Sequence, residues 1–280
     1  MRYIHAIQGA AIAFVIFIIL SFSMPSISPA KEVENILTTS IFLFAILAGF
    51  FIARLGSRYN EIRKLIGQQD ALFLSLYKTS QIHGKEFTKK MVTLIDSFYI
   101  VAYDFVVGAC YKGETPFFLK MWDEVINLNK KKKKNEEAYG QLMNQLNEIE
   151  KTRNVARGIY EERLSFGHWA VLIILSGIIL FSIFYLKTDA LYSMVITILL
   201  STALVLILLL IRDLQNFMLG GNSLLEESGE EVFEYIGKPR YYNNLYLKGG
   251  INKLPKNIME YRIGYHKPGA NKFNIKLIKK

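Results

Sequence analysis

Four long stretches of this chain contain no charged residue and no histidine. They are Ala6–Ser23, Ile36–Ala53, Trp169–Leu186 and Leu191–Ile211. An α-helix rises about 1.5 Å per residue, so about 20 apolar residues cross the roughly 30 Å hydrocarbon core of a bilayer. Each stretch has about that length. The pattern predicts an all-α membrane protein with four transmembrane helices, and it argues against an ordinary soluble domain.

The positive charge of the chain lies in two segments. Residues 54–168 hold 19 basic and 14 acidic residues, and the residues from Arg212 onward hold 12 basic and 7 acidic ones, which together account for the formal net charge of +10. Loops rich in Lys and Arg stay on the cytosolic side of a membrane. We therefore predict a multi-pass plasma-membrane protein with both termini and residues 54–168 in the cytosol. The loops around Pro25–Glu34 and Thr188 would face outward.

The first apolar stretch has a second interpretation. Arg2, the apolar run and the triplet Ser28-Pro29-Ala30 together resemble a secretory signal peptide with its cleavage site. The run is long for a signal peptide and begins almost at the first residue, which favours a transmembrane helix. Cleavage would leave the other three helices in the same orientation.

Between the second and third apolar stretches, apolar residues recur at spacings of three and four, which places them on one face of a helix. They are Ile62, Leu65, Phe73 and Leu76; Phe87, Met91, Leu94, Phe98, Val101 and Phe105; and Leu142, Leu146, Ile149 and Ala156. The first set predicts that transmembrane helix 2 continues to about Ser80. The last set predicts a helix that runs directly into transmembrane helix 3, and a short helix is predicted to open at Thr115-Pro116. We expect these long cytosolic extensions to form a helical bundle.

The composition changes after Gly220, where Gly and Asn are frequent and three of the six prolines lie. The short alternating pieces Tyr241–Leu247, Met259–Tyr265 and Phe273–Ile278 predict a small irregular or β tail. The predicted organisation is transmembrane helices 1 and 2 in residues 1–55, a cytosolic helical bundle in 56–166, transmembrane helices 3 and 4 in 167–219, and a basic cytosolic tail in 220–280.

Motifs near the apolar stretches, together with two short pieces of the tail, resemble those of a known family. They are Arg58-Tyr59-Asn60 with Gln69-Asp70-Ala71-Leu72, Ala156-Arg157 through Arg163 with His168-Trp169, Asp213-Leu214-Gln215-Asn216-Phe217, Gly237 to Tyr242, and Tyr261 to Gly264. With the order of two spans, a helical segment, two further spans and a tail, the chain resembles the uncharacterised bestrophin-like integral membrane proteins of prokaryotes. The resemblance covers most of the chain. The Asp213–Phe217 stretch lacks the Pro-Phe pair that usually follows in that family, and no acidic cluster follows it, so bestrophin-type calcium gating is not implied.

The resemblance implies a homo-oligomer, such as a pentamer, in which transmembrane helix 2 lines an ion pathway. On that helix Thr39, Phe42, Ile46 and Phe50 share one face. Lipid contact or core packing is the ordinary interpretation of such a face. With the resemblance, the same face becomes a candidate pore constriction that gates by dewetting.

Small residues repeat at a spacing of four in three of the apolar stretches, which is typical of closely packed helices. They are Gly9 and Ala13; Ala45, Gly49 and Ala53; and Ser193, Thr197 and Ser201. No ionisable residue lies in the middle of any stretch, which disfavours proton-driven transport.

Five consecutive lysines, Lys130, Lys131, Lys132, Lys133 and Lys134, form the densest basic run. A solvated turn between helices is the ordinary interpretation, and contact with anionic lipid headgroups is the alternative. No aromatic residues alternate with these lysines, which argues against nucleic-acid binding.

The sequence contains no pattern typical of catalysis or cofactor binding. His5, His83, His168 and His266 are scattered without a second ligand four residues away, and the single cysteine, Cys110, cannot form an intrachain disulfide. His168-Trp169 is interpreted as an anchor at the membrane interface. We predict a non-enzymatic protein that needs no metal and no cofactor.

Two functions of different class remain open. The first is a bestrophin-like oligomeric ion channel with transmembrane helix 2 around the axis. The second is a non-conducting membrane scaffold or sensor whose cytosolic bundle and basic tail bind a partner or anionic lipid.

Overall fold

The computed structural model describes residues 3–26, 30–104, 111–131, 135–219, 229–252, 254, 258–267, 270 and 272–279, with the backbone alone described at 111–112 and 129–131. Most of these residues are helical, and four helices are long and apolar enough to cross a membrane. The prediction of an all-α membrane protein with four transmembrane helices and a small, partly β tail is confirmed.

The chain forms two compact units. The transmembrane unit comprises Ile4–Tyr59 and Arg163–Gly221. It contains α1 (Ala6–Ser23), the first part of α2 (Lys31–Ile82), α6 (Phe166–Tyr185) and α7 (Leu191–Gln215). The bundle unit comprises chiefly Asn60–Glu162 and Asn222–Lys280. It contains the rest of α2, then α3 (Lys85–Asp104), α4 (Tyr111–Lys131), α5 (Glu136–Glu161) and the C-terminal elements.

In the transmembrane unit, α1 packs along α7. The approach is close at Gly9, where an added Cβ would lie 2.5 Å from Leu209 Cδ1. A second core joins α2, α6 and α7. Its buried members are Phe44, Ala48, Phe51, Leu55, Leu164, Leu172, Ile179, Ile183, Leu204, Ile211 and Leu214.

Helix α2 is continuous over 52 residues, which corresponds to about 80 Å at the rise of an α-helix. It ends at Ile82, two residues beyond the predicted end. Gly84 follows with a φ of 98°, a conformation that glycine adopts without the penalty that a Cβ brings. The prediction that this helix extends well beyond its apolar stretch is therefore correct.

The prediction that α5 runs directly into the third transmembrane helix is wrong. Helix α5 ends at Glu161 and α6 begins at Phe166. Ser165 caps α6: its side chain accepts a hydrogen bond from the main-chain N–H of His168, while His168 Nδ1 accepts one from the main-chain N–H of Ser165. This reciprocal capping box satisfies N–H groups at a new helix start and so favours a break over continuation. His168, predicted as an interface anchor, is part of this cap.

The predicted apolar faces of α2 to α5 form the core of the bundle unit, except that on α3 Ile95 is buried where Leu94 was predicted. On α3, Met91, Ile95 and Phe98 are fully buried, whereas Leu94 is only partly buried. The heptad-like spacing predicted that Leu94 is a core residue. Because a straight α-helix repeats every 3.6 residues, its packed face drifts along the helix and here includes the neighbouring residue, Ile95. Phe105, the last member of the predicted stripe, lies outside the described residues.

Helix α4 begins at Tyr111, one turn before the predicted start at Thr115-Pro116. Pro116 lies inside the helix, where it costs a hydrogen bond because proline has no N–H. A contact from outside the helix supports the additional turn: the buried carboxylate of Glu114 lies 3.6 Å from Arg153 Nε of α5. This pairing of residues 39 positions apart is not visible in the local sequence.

The C-terminal residues form α8 (Glu230–Tyr235), β1 (Arg240–Asn243), α9 (Asn244–Gly249), β2 (Glu260–Gly264) and β3 (Ile275–Lys279). The strands form one sheet in the order β1-β2-β3, in which β2 pairs parallel with β1 and antiparallel with β3. The predicted alternating piece Tyr241–Leu247 ends early because the Asn243 side chain accepts the Leu245 N–H and starts α9. Val232, Phe233 and Tyr241 lie in the same core as α2 to α5.

Candidate functional site

The predicted constriction residues lie on an open face of α2. In the single chain, Phe42 is 65%, Ile46 55% and Phe50 60% exposed. Thr39 is also exposed, and its hydroxyl donates to the main-chain oxygen of Asn35 at 2.9 Å within its own helix. The face is therefore an apolar surface that no part of the described chain covers.

The opposite face of α2 explains this arrangement. Ser40, Phe44, Ala48, Phe51 and Leu55 recur at spacings of four and three and are buried. Phe44, Ala48, Phe51 and Leu55 pack against α6 and α7. This stripe therefore anchors α2 to its own chain, and Phe44, Phe51 and Leu55 are its large members.

The three small-residue stripes have different environments. Gly9 and Ala13 of α1 pack against α7 of the same chain. Thr197 and Ser201 of α7 are also buried, at 3% and 0% exposed. On α2, however, Ala45, Gly49 and Ala53 are exposed, and a Cβ added at Gly49 would meet nothing within 4 Å. This face is the neighbour of the Phe42, Ile46 and Phe50 face, since Ala45 and Gly49 follow Phe42 and Ile46 by three residues.

Three of the family-like motifs meet at the end of α7, in an arrangement that we call the motif junction. The buried Arg58 donates from Nη1 to the main-chain oxygen of Gln215 at 3.1 Å, and its guanidinium carbon lies 4.3 Å from the ring centre of Phe217. Trp169 Nε1 donates to Gln215 Oε1 at 3.1 Å, and Tyr59 stacks on Phe217. The sequence suggested these motifs by resemblance alone; the fold brings them into contact.

Phe217 ends α7 in an unusual way. Its φ is 56°, in the left-handed region that glycine normally occupies at this position. The N–H of Phe217 donates to the oxygen of Leu214 and the N–H of Met218 to that of Asp213, the hydrogen-bond pair of a Schellman motif. Because Phe217 is fully buried, its packing with Arg58 and Tyr59 compensates for the strained backbone.

Two residues that precede Phe217 on α7, Arg212 and Asp213, fix the start of α1. Asp213 is 2% exposed, and its Oδ2 accepts the main-chain N–H of Ala6 at 2.8 Å. Arg212 donates to Asp213 Oδ1 at 2.7 Å and to the main-chain oxygen of Ile4 at 2.6 Å. A carboxylate near the first N–H groups of a helix is favoured by the helix dipole. The motif junction therefore has a structural role, because each polar group named in it forms a hydrogen bond.

In the bundle unit, Asp70 connects three elements. Its Oδ1 accepts the Tyr99 hydroxyl of α3 at 2.6 Å, and its Oδ2 accepts the main-chain N–H of Gly229, the cap of α8, at 2.9 Å. Burial raises the pKa of Asp70 from 3.8 to about 6, although both hydrogen bonds oppose that shift. Burial and the nearby Asp70 carboxylate raise the pKa of Tyr99 well above its ordinary value, so its hydroxyl stays protonated as a donor.

A second buried polar cluster centres on Asp104, which is 1% exposed at the end of α3. Its carboxylate accepts from the Tyr241 hydroxyl at 2.5 Å and from Asn243 Nδ2 at 2.7 Å, and lies 2.6 Å from His266 Nε2. The other ring nitrogen of His266 accepts the main-chain N–H of Asn274 at 3.2 Å. Sequence reasoning treated His266 as isolated, because its partner lies 162 residues away. Burial of all four side chains indicates a role in joining α3 to the sheet rather than catalysis on a dissolved substrate.

The predicted basic cluster is largely outside the described part of the chain. Lys130 and Lys131 end α4, and of them only the backbone is described; Lys132, Lys133 and Lys134 lie outside the described residues. Among the residues that the structure does describe, no group of three His, Cys, Asp or Glu side chains is placed to hold a metal ion.

Comparison with known families matches residues 9–220 to the bestrophin-like domain. No curated protein and no solved structure matches the chain. The matched range includes the candidate constriction on α2 and the whole motif junction.

Proposed function

This chain belongs to the bestrophin-like family, and bestrophins assemble as oligomers in membranes and conduct ions; we therefore propose that it is an oligomeric ion channel with α2 around the central axis. Phe42, Ile46 and Phe50 form the constriction in this proposal. Thr39 lies at one end of the same face.

The observation that carries the proposal is the pair of adjacent open faces on α2. One face carries Phe42, Ile46 and Phe50, and its neighbour carries Ala45, Gly49 and Ala53. Small residues in a membrane allow two helix backbones to approach closely, and in the part of the chain that the structure describes no helix fills that face. A second copy of α2 fits it. In a ring of copies, the face beside each subunit contact turns toward the axis.

The chemistry of the face determines how such a pore would gate. Three apolar side chains from each copy provide no oxygen to replace the hydration shell of an ion, and the Thr39 hydroxyl donates within its own helix. A narrow apolar neck of this kind excludes water when closed. We therefore propose a dewetting gate rather than a coordinating selectivity filter.

Lipid contact is the competing explanation for an exposed apolar face, and one substitution separates the two. Ile46→Ser adds a hydroxyl to the face without adding charge. In a channel it should wet the neck and raise the conductance of protein reconstituted in planar bilayers. Ile174→Ser is the matched control, because Ile174 lies on α6 and is similarly exposed, at 61% against 55% for Ile46. The control should leave conductance unchanged.

Oligomer formation is tested separately with Gly49→Leu, which fills the open small-residue face. It should reduce the oligomer in detergent, as measured by light scattering. If the parent protein is well folded and oligomeric and neither it nor any of these variants conducts, the channel proposal is wrong. The scaffold or sensor, whose bundle and tail bind a partner or anionic lipid, would then replace it.

A further inference from the structure

The capping box at the start of α6 contains a titratable group. A capping box normally has Glu or Gln at the third helical position, and here that position is His168. The Nδ1 atom of His168 accepts the main-chain N–H of Ser165 at 3.2 Å and lies 3.0 Å from Ser165 Oγ. Because Nδ1 is an acceptor in this arrangement, the proton of the neutral ring lies on Nε2.

A protonated His168 cannot form the same cap. Both ring nitrogens of an imidazolium are donors, so the main-chain N–H of Ser165 loses its acceptor, and the ring keeps only its contact with Ser165 Oγ. The proton also places a positive charge at a helix N-terminus, where the helix dipole disfavours cations. Histidine is the side chain that takes up a proton between about pH 5 and pH 8. Acidification therefore weakens this cap.

No neighbouring carboxylate offsets a positive charge on His168. The charged residues of the adjoining segments are Glu161, Glu162 and Arg163 before the cap, Arg54 and Arg58 on α2, and Arg212 and Asp213 at the end of α7. Glu161 pairs with Arg157 and Asp213 with Arg212, and within the described residues no carboxylate forms an ion pair with His168. Ser165 and Phe166 are exposed, so protons from solvent reach the cap.

The ring of His168 also packs on the helix that carries the proposed constriction. It lies edge-on to Phe51 of α2, with 5.1 Å between the ring centres. Phe51 is 3% exposed and belongs to the core that joins α2 to α6 and α7. Its ring lies 5.8 Å from that of Phe50, a residue of the proposed constriction. A change at the cap therefore acts on the packing that holds α2.

We propose that His168 is an acid sensor whose protonation releases the cap of α6 and loosens the packing of α6 against Phe51. An effect on conduction rests on the proposed channel, whereas release of the cap does not. The cap is intact with a neutral ring and is lost as the pH falls. The raised pKa of Asp70 acts in the opposite sense, because its contribution to stability is lost as the pH rises.

His168→Gln is the matched variant, since glutamine at this position accepts the Ser165 N–H at every pH. Hydrogen–deuterium exchange of residues 162–169 and of residues 48–54 around Phe51, with the thermal unfolding midpoint in detergent, compares the two proteins at about pH 7.5 and about pH 5.5. At the higher pH they should be alike. At the lower pH both segments of the parent should exchange several-fold faster than those of the variant, and the parent should unfold a few degrees earlier.

Two controls accompany this comparison. His83→Gln, which replaces a histidine outside the cap, should retain the acid response of the parent. His168→Ala removes the acceptor at every pH, so exchange of residues 162–169 should be fast at both pH values. Comparing proteins at the same pH removes the intrinsic pH dependence of exchange. Equal exchange and equal midpoints in the parent and His168→Gln at the lower pH would overturn the proposal.

Conductance in planar bilayers tests the effect on the pathway. Acidification should change the conductance of the parent several-fold and leave that of His168→Gln unchanged. A conducting parent with the same pH response as His168→Gln would overturn the role of His168 as a sensor. A parent that conducts at neither pH would contradict the channel proposal alone, because the exchange of residues 48–54 still decides whether the cap acts on α2.

Discussion

The guanidinium of Arg58 lies over the ring of Phe217, 4.3 Å from its centre, and Arg58 also donates to the oxygen of Gln215 two residues earlier. A residue near the end of the apolar part of α2 thereby holds the strained end of α7. A cation above an aromatic face gains about 0.5–2 kcal/mol, depending on its desolvation.

Substitutions at Phe217 should separate packing from backbone strain. Phe217→Ala removes a buried ring and should lower the free energy of unfolding by about 3–5 kcal/mol. Phe217→Gly removes the same ring but relieves the positive φ of 56°, so it should be about 1 kcal/mol more stable than Phe217→Ala. Thermal unfolding in detergent compares the two. A less stable glycine variant would contradict the role assigned to the backbone.

The buried Asp104 cluster should depend on Gly264. A Cβ added there would overlap the Tyr241 hydroxyl and lie 2.7 Å from Tyr241 Cζ. We expect Gly264→Ala to displace Tyr241 from Asp104 and to lower stability by several kcal/mol, as overpacking and loss of buried hydrogen bonds combine. Gly140→Ala on α5 is the matched control, because its added Cβ meets nothing within 4 Å. It should leave stability unchanged or raise it by about 0.5–1 kcal/mol.

The raised pKa of Asp70 should make stability depend on pH. The folded state binds this proton more tightly than the unfolded state, so the contribution is fully present below about pH 3.8 and is lost as pH rises through about 6. A pKa of about 6 in place of 3.8 corresponds to about 3 kcal/mol of pH-dependent stability. In Asp70→Asn this part of the pH dependence between 4 and 6 should disappear, whereas Asp123→Asn, at an exposed position of α4, should retain it. Unfolding midpoints measured between pH 4 and 6 test this expectation. If the midpoint changes with pH in the same way in the parent and in Asp70→Asn, Asp70 is not the source of the pH dependence.

Charged substitutions at two apolar residues of α3, Phe98 and Leu94, should differ in their effect on folding of the bundle unit. Phe98→Asp places a charge where the side chain is fully buried, and we expect loss of stably folded protein. Leu94→Asp affects a partly buried position beside the exposed Lys90 and should be tolerated much better. Yield of monodisperse protein in size-exclusion chromatography measures both. Equal losses would show that Leu94 belongs to the core after all.

The orientation in the membrane remains a prediction from charge. In a Cys110→Ser background, cysteines placed at Ser28 and Thr188 should react with a membrane-impermeant maleimide added to intact cells, and a cysteine at Asn135 should not. The excess of basic residues in 54–168 and after Arg212 is the reason. Labelling at Asn135 in intact cells would reverse the orientation.

The sequence by itself determined the number of transmembrane helices, the length of α2 and most of the bundle core. These follow from properties of single segments: apolar length against bilayer thickness, the absence of proline from residues 30–115, and apolar residues at helical spacing. The spacing did not separate Leu94 from Ile95, because the packed face of a straight helix drifts and only the neighbouring helices decide which residue is buried.

Only the tertiary structure decided which polar groups meet. Asp104 and His266 are 162 residues apart, so no local pattern connects them. The same holds for Phe217, whose left-handed backbone would suggest glycine if Arg58 and Tyr59 did not pack on its ring. The sequence placed Phe42, Ile46 and Phe50 on one face of α2, but the fold showed that this face and the Ala45, Gly49 and Ala53 face stay open while Phe44 and Phe51 anchor the helix. Helical periodicity defines the faces of a helix, and packing against other helices determines which of them remains exposed.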